Sequence, residues 1–255
     1  MRDPHEGISD SGAITTGIRR DRVPPAFEVV LAEAVGEVPD QASLYLYGSV
    51  ATGRARVPDS DVDLLGIGMS ADVTRTLGVE LSGRHRALCR DVAIAPARVD
   101  DFVGDGDEQY GNRVFLRHYC LHLVGPDHRE DRVFPADARA ARGFNGDIAR
   151  HLDRWRTMLG ERDTGMLGSA VGRKTLLAVA GLVSIHDGIW TTDRARAAER
   201  WVEIAPKSSV GMRRLYDWAT GGATATVAEL DEALDGVVVE VVEAFTANIG
   251  LWQQD

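Results

Sequence analysis

The stretch from Leu44 to Ile67 restricts what this chain can fold into more than any other part of it. An apolar run, Leu44-Tyr45-Leu46-Tyr47, stops abruptly at Gly48-Ser49, and eleven residues beyond Ser49 the run Ser60-Asp61-Val62-Asp63-Leu64 leads into a second apolar segment ending at Ile67. Two strands joined by a sharp turn and a short connection are implied, over 43–48 and 62–68. Residues two apart on a strand share a face, so Asp61 and Asp63 direct both carboxylates to one pocket while Val62 points to the core. Hard divalent cations such as Mg²⁺ take up paired carboxylate oxygens and hold a nucleotide's phosphates through them. Gly48 lets the backbone turn, and the short helix expected from Ser49 offers N–H groups to a phosphate.

Around this core the pattern is mixed and then helical. Residues 25–37 read as a helix begun by a proline pair, with Phe27, Val30, Leu31 and Val35 inward. A helix over 71–81 and a third strand near 88–95 follow. From about residue 110 the periodicity is helical throughout, over 109–122, 145–159, 170–186, 192–204, 208–219 and 226–248. The segment VGPDHREDRVFPADAR has loop composition and places a boundary within 125–145. The expected division is a flexible polar segment over 1–22, an α/β domain over 23–135 and a helical domain over 136–255.

Composition narrows the function classes. Hydrophobic residues make up 44% of the 255, enough for a core, but no run of 18 apolar residues occurs and no membrane span is expected. The polar N-terminus lacks the apolar stretch of a secretory signal. Cys89 and Cys120 are too few for a disulfide framework, which suits a reducing, cytoplasmic setting. A formal charge of −10 argues against a nucleic-acid partner and favours a small cationic one.

Two-ion phosphoryl transfer needs a further acid beside the first pair. Asp91 opens the alternating run Val92-Ala93-Ile94 and is the best placed; Glu80, Asp100 and Asp101 sit in helix or loop contexts. In this reading Asp61, Asp63 and Asp91 are both metal ligands and catalytic residues, and two Mg²⁺ ions are expected. Gly48, Ser49 and Ser60 supply donors to the phosphates of a nucleoside triphosphate. Arg173 and Lys174, near a helix start where the dipole disfavours positive charge, are the candidate phosphate-facing cations.

The whole pattern, GSVATGRARVPDSDVDL, resembles the Gly-Ser…Asp-x-Asp signature of the DNA polymerase β-like nucleotidyltransferase superfamily. HLVGPDHREDRVFP over 122–135, and the stretch 172–203 from GRKTLLAVAGLVSIHDGIW onward, are similar to segments of the aminoglycoside (3″)(9) adenylyltransferases. The resemblance implies an α+β chain, a polymerase β-like α/β domain followed by an all-α bundle. It also implies AMP transfer from ATP to a hydroxyl of streptomycin or spectinomycin, and hence a role in antibiotic resistance. The chain departs from that family in three respects. Aspartate stands at residue 91, where the family commonly has glutamate; no substrate-stacking tryptophan is found between Asp91 and Val124; and Gly188 is followed by Ile189-Trp190 rather than lysine.

The remaining features have plainer readings. His118, Cys120 and His122 lack a zinc pattern. The five tryptophans suit helical packing, with Trp190 the one placed to meet a substrate, and Asp187 the acid placed to meet a cationic one. The chain is expected to act as a monomer or weak dimer on ATP and a small acceptor. Two other readings stay open: adenylylation of another natural product or a protein side chain, and a nucleotide-binding or partner-binding protein without turnover.

Overall fold

The computed structural model describes residues 3–253. They form two compact units, one over Met1–Asp105 and Asn112–Phe134, the other over Gly106–Gly111 and Pro135–Asp255.

The first unit begins with a hairpin, β1 (Gly7–Ile8) and β2 (Ile14–Thr15). Helix α1 (Glu28–Gly36) follows a 3₁₀ turn over Pro25–Phe27, as the proline pair predicts. Then come β3 (Ser43–Tyr47), the single turn α2 (Gly48–Ala51), β4 (Val62–Ile67) and α3 (Ala71–His85). Ser70 caps α3, its hydroxyl accepting the Val73 N–H, and four residues more than expected are helical at the far end. The unit closes with β5 (Val92–Ala97), the later part of α4 (Asp107–Tyr119) and β6 (Leu121–Val124).

The four-stranded sheet has the order β5-β4-β3-β6, with β4 and β5 parallel and the other pairs antiparallel. Alternation divides its faces. Leu44, Leu46, Val62, Leu64, Val92 and Ile94 pack with Val30, Leu31, Leu77 and Leu81 from α1 and α3. Tyr45, Leu65 and Ile67 pack on the other face with Phe102, Leu116 and Cys120.

Three sequence expectations change here. The third strand begins at Val92 rather than near residue 88. The helix expected over 109–122 stops at Tyr119, and its last residues become β6 against β3. The polar opening, expected to be flexible, is folded from residue 3; residues 1 and 2 lie outside the described residues. Asp3 accepts the N–H groups of His5 at 3.0 Å and Gly17 at 2.5 Å, and the Ile14 N–H bonds Phe134 O at 3.0 Å. Polar hydrogen bonds and two adjacent buried side chains, Ala13 and Ile14, hold this segment, a pattern that apolar periodicity does not register.

The second unit is helical: α5 (Ala138–Asn145), α6 (Ile148–Met158), α7 (Thr164–Asp187), α8 (Arg194–Ile204), α9 (Ser209–Thr220), α10 (Val227–Asp235) and α11 (Val237–Asn248). Helix α7 is its centre, buried along most of its length from Leu167 to Ser184. It is long and apolar enough to cross a membrane by length and composition, but 67% of its apolar window is buried within the protein, the profile of a core helix. Gly188, at φ 63°, ends it in the left-handed cap that glycine favours. Two differences from the sequence reading stand out. Helix α5 begins at the last two residues of the stretch read as loop and was not anticipated, and the 226–248 helix is two, broken at Gly236 with ψ −105°.

Leu64 is fully buried, so Leu64→Ala is expected to destabilise the protein by about 2–5 kcal/mol, whereas Val79→Ala, at a residue 69% exposed, stays within about 0.5 kcal/mol. Urea unfolding of both variants checks this. His118 is buried, its Nε2 accepts the Phe134 N–H at 2.9 Å, and burial followed by the Arg117 charge lowers its pKa to about 4. The unfolded imidazole binds a proton near pH 6.5 and the folded one does not until about 4. Stability should therefore fall as pH drops through that window, and His118→Gln should flatten the fall in thermal melts across it.

Candidate active site

The antiparallel register sets Tyr47 directly opposite Asp63. The next residue, Gly48, has φ 74°, and a Cβ built on it would collide with the Asp63 carboxylate. Gly48 is thus required twice over, for its backbone conformation and for the space that Asp63 occupies. Ser49 O accepts the N–H groups of Arg54 at 2.8 Å and Ala55 at 3.1 Å, which curls the connecting segment back on the turn. Ser60 closes the other end: its Oγ accepts the Arg56 N–H at 2.8 Å, so the hydroxyl oxygen serves the loop.

Asp61 and Asp91 immediately precede two parallel strands, with Val62 opposite Val92, and the Val62 N–H bonds Asp91 O at 2.9 Å. All three acids thus come to one end of neighbouring strands, but their carboxylates have different partners. Asp61 takes a two-pronged grip from Arg90, Nε at 2.9 Å and Nη2 at 2.5 Å. Asp91 Oδ1 lies 2.7 Å from the Ser82 hydroxyl, which also reaches Gly78 O at 2.7 Å and so divides one hydrogen between them. Among the described residues no three carboxylate, imidazole or thiol groups are gathered so as to hold a metal ion. The Arg90 cation feels all of the acids: its hydrogen bond to Asp61, then the charges of Asp61, Asp91 and Asp63, raise its pKa. Tyr47 is held neutral on the same side, its pKa raised to about 12 by burial and then by the Asp63 charge.

The other expected site residues belong to the second unit. Lys174 is engaged there, Nζ lying 2.6 Å from Asp147 and 3.0 Å from Phe144 O. Burial alone would raise the Asp147 carboxyl, but the hydrogen bond from His151 and the Lys174 charge outweigh it and hold it low. Asp187 is gripped by Arg200 at 2.8 and 3.0 Å and by His186 at 2.7 Å, which hold it far below the usual carboxylate range. Trp190 is buried, its ring 6.0 Å from that of Phe144. Arg173 differs from Lys174: its Nε reaches Ala219 O at 3.3 Å, and its own carbonyl accepts Arg194 Nε at 3.1 Å. Arg194 is exposed as a residue, yet protein packed round its head group, and then the Arg173 charge, lower its pKa. Neither arginine forms an ion pair among the described residues.

Sequence reasoning missed Arg90, Ser82, Tyr47 and Arg194. Arg90 carried a signal, an arginine directly before the proposed third acid. Tyr47 could be reached from the strand register, but nothing local marks Ser82 or Arg194.

No protein-family model matches the chain, and no curated protein is similar to it. Among solved structures it is similar to the crystal structure of spectinomycin adenyltransferase AAD(9) from Enterococcus faecialis with ATP and spectinomycin. The likeness has a TM-score of 0.53 at 10% identity, over 86% of this chain and 98% of that one. The chain therefore shares the α+β fold of that structure, an α/β part followed by a helical one.

Gly48→Ala is expected to cost at least about 1–2 kcal/mol from the left-handed backbone alone. The cost should be smaller in an Asp63→Ala background, where the carboxylate no longer fills the Cβ position. A double-mutant cycle by chemical unfolding checks this, and equal costs in both backgrounds would refute the close approach.

Proposed function

We propose that the chain is an Mg²⁺-dependent adenylyltransferase that moves AMP from ATP to a hydroxyl of a small polar acceptor and releases pyrophosphate. The observation that carries the reading is the Gly48 turn closed against Asp63, with Asp61 and Asp91 on the adjoining strand ends round one cation, Arg90. The fold's likeness to a structure holding ATP and spectinomycin supports it. Asp61, Asp63 and Asp91 are carboxylates, the donor type that hard divalent cations take, though the three are not gathered round one point in this structure. They would hold such a cation, with two ions expected. When bound it would neutralise charge on the phosphates and polarise the reacting oxygens.

The chain's own residues do the rest. Gly48 and Ser49 shape the turn that receives the phosphates, and Ser60 holds the end of the connecting loop. Ser82 fixes one oxygen of Asp91 and leaves Oδ2 to take the acceptor hydroxyl's proton. The acceptor oxygen then forms its bond to the α-phosphorus as the bond to the β-phosphate bridge breaks in line. Arg173, with Arg194 in place of the engaged Lys174, is the proposed phosphate-facing pair of the helical part. Trp190 and Asp187 are proposed for the acceptor, Asp187 through a charge it shares with Arg200 and His186.

We assign catalysis to residues 23–135, in a monomer or weak dimer. A cytoplasmic setting fits Cys89 and Cys120, which are both buried free thiols. Streptomycin and spectinomycin are the first acceptors to test.

Pyrophosphate release from Mg-ATP should depend on one acceptor of an aminoglycoside and spectinomycin panel, and should fall at least about 100-fold in Asp63→Asn. Mg-ATP binding with no release for any acceptor would instead favour a nucleotide-binding protein without turnover.

A further inference from the structure

Arg90 is bound to Asp61 by both of its prongs, yet little of the local architecture requires that grip. The strand ends are already tied by backbone bonds, Val62 N–H to Asp91 O at 2.9 Å and Arg90 N–H to Ser60 O at 3.1 Å. The Arg90 side chain is 67% exposed and that of Asp61 29%, so the pair lies in water's reach and contributes little stability. Its placement is specific all the same. Both Asp61 oxygens, the same atoms a divalent cation would use, are occupied by guanidinium nitrogens. An exposed arginine can swing away at small cost, which a buried one cannot.

We propose that Arg90 is a built-in counter-ion, released from Asp61 when a divalent cation takes the carboxylate, and that it thereby sets the cation concentration at which the site fills. This rests on the metal reading of Asp61, Asp63 and Asp91 given above. Arg90 is a positioning residue: it holds both oxygens of Asp61 until a divalent cation takes them. Filling the site then requires exchanging one cation for another.

The test is Mn²⁺ binding to the full-length protein, followed by electron paramagnetic resonance of the free ion, without nucleotide. Arg90→Gln should bind Mn²⁺ up to about 5-fold more tightly than wild type, the equivalent of an exposed ion pair no longer opposing it. Its melting temperature should stay within about 3 °C, showing that the fold is kept. Arg86→Gln removes the same charge from an exposed residue at the end of α3 and should leave Mn²⁺ binding unchanged. Equal tightening in both variants would reduce the effect to net charge and overturn the proposal, as would unchanged or weaker binding in Arg90→Gln. Mn²⁺ binding that Asp63→Asn does not weaken would overturn the metal reading itself. Binding sensitive to Asp63 but indifferent to Arg90 would overturn this inference alone.

Discussion

The pairing of β3 with β4 is the constraint on which the candidate site depends. Slipping that register by one residue would exchange the two faces of β4 and bring Leu64 out of the core where Asp63 now lies. Leu44, Leu46, Val62 and Leu64, all buried on one face, oppose such a slip. Once they are seated, Tyr47 faces Asp63, and the chain must turn at the next residue with a carboxylate against its α-carbon. The glycine is therefore a consequence of core packing as much as of turn geometry. The parallel pairing of β4 with β5 then brings Asp91 to the same end as Asp61 through a backbone bond rather than through either side chain.

What distinguishes a group able to meet a ligand from one that is not is often the partner it already has. Lys174 and Asp187 both carry the right charge for a role in binding, and both are engaged inside the helical unit, by Asp147 and by Arg200 with His186. Lys174 and Asp147 are both largely buried, and removing either would strand the other's charge, so that pair is structural first. Arg173 and Arg194 are the reverse case. They meet backbone carbonyls and each other's field, an arrangement that gains from an anion.

The central motif was legible because its physics is local: strand alternation, a turn residue and the chemistry of carboxylates all lie within Leu44–Ile67. The helices with long apolar stripes were legible for the same reason. β6 was not, because Leu121–Val124 is too short to show a period and exists through its pairing with β3. The break at Gly236 was hidden because apolar residues continue on both sides of it, and the Asp3 bonds that order the opening leave no hydrophobic trace. Ser82 and Arg90 illustrate the same limit at the site. Each reaches a carboxylate fixed by the sheet, and the sheet's edge, not the neighbouring sequence, decides which one.

Charge counting ties the cation and the nucleotide together. Asp61 is held by Arg90, Asp91 and Asp63 lie at the same strand ends, and the chain as a whole carries −10. A triphosphate brought to such a place adds several negative charges. Like charges about 4 Å apart repel by about 1 kcal/mol even at the dielectric constant of water, and by about 4 kcal/mol under the conditions of a protein surface. Arg90 can offset one carboxylate or one phosphate oxygen, not both sets. In the proposed function, nucleotide binding at Asp61, Asp63 and Asp91 therefore demands further positive charge at that spot. A divalent cation supplies two charges in the volume of one atom, and carboxylate oxygens are the ligands it takes. On this argument the affinity for the nucleotide and the affinity for the cation are one coupled quantity, and the residue that holds Asp61 in the cation's absence bears on both.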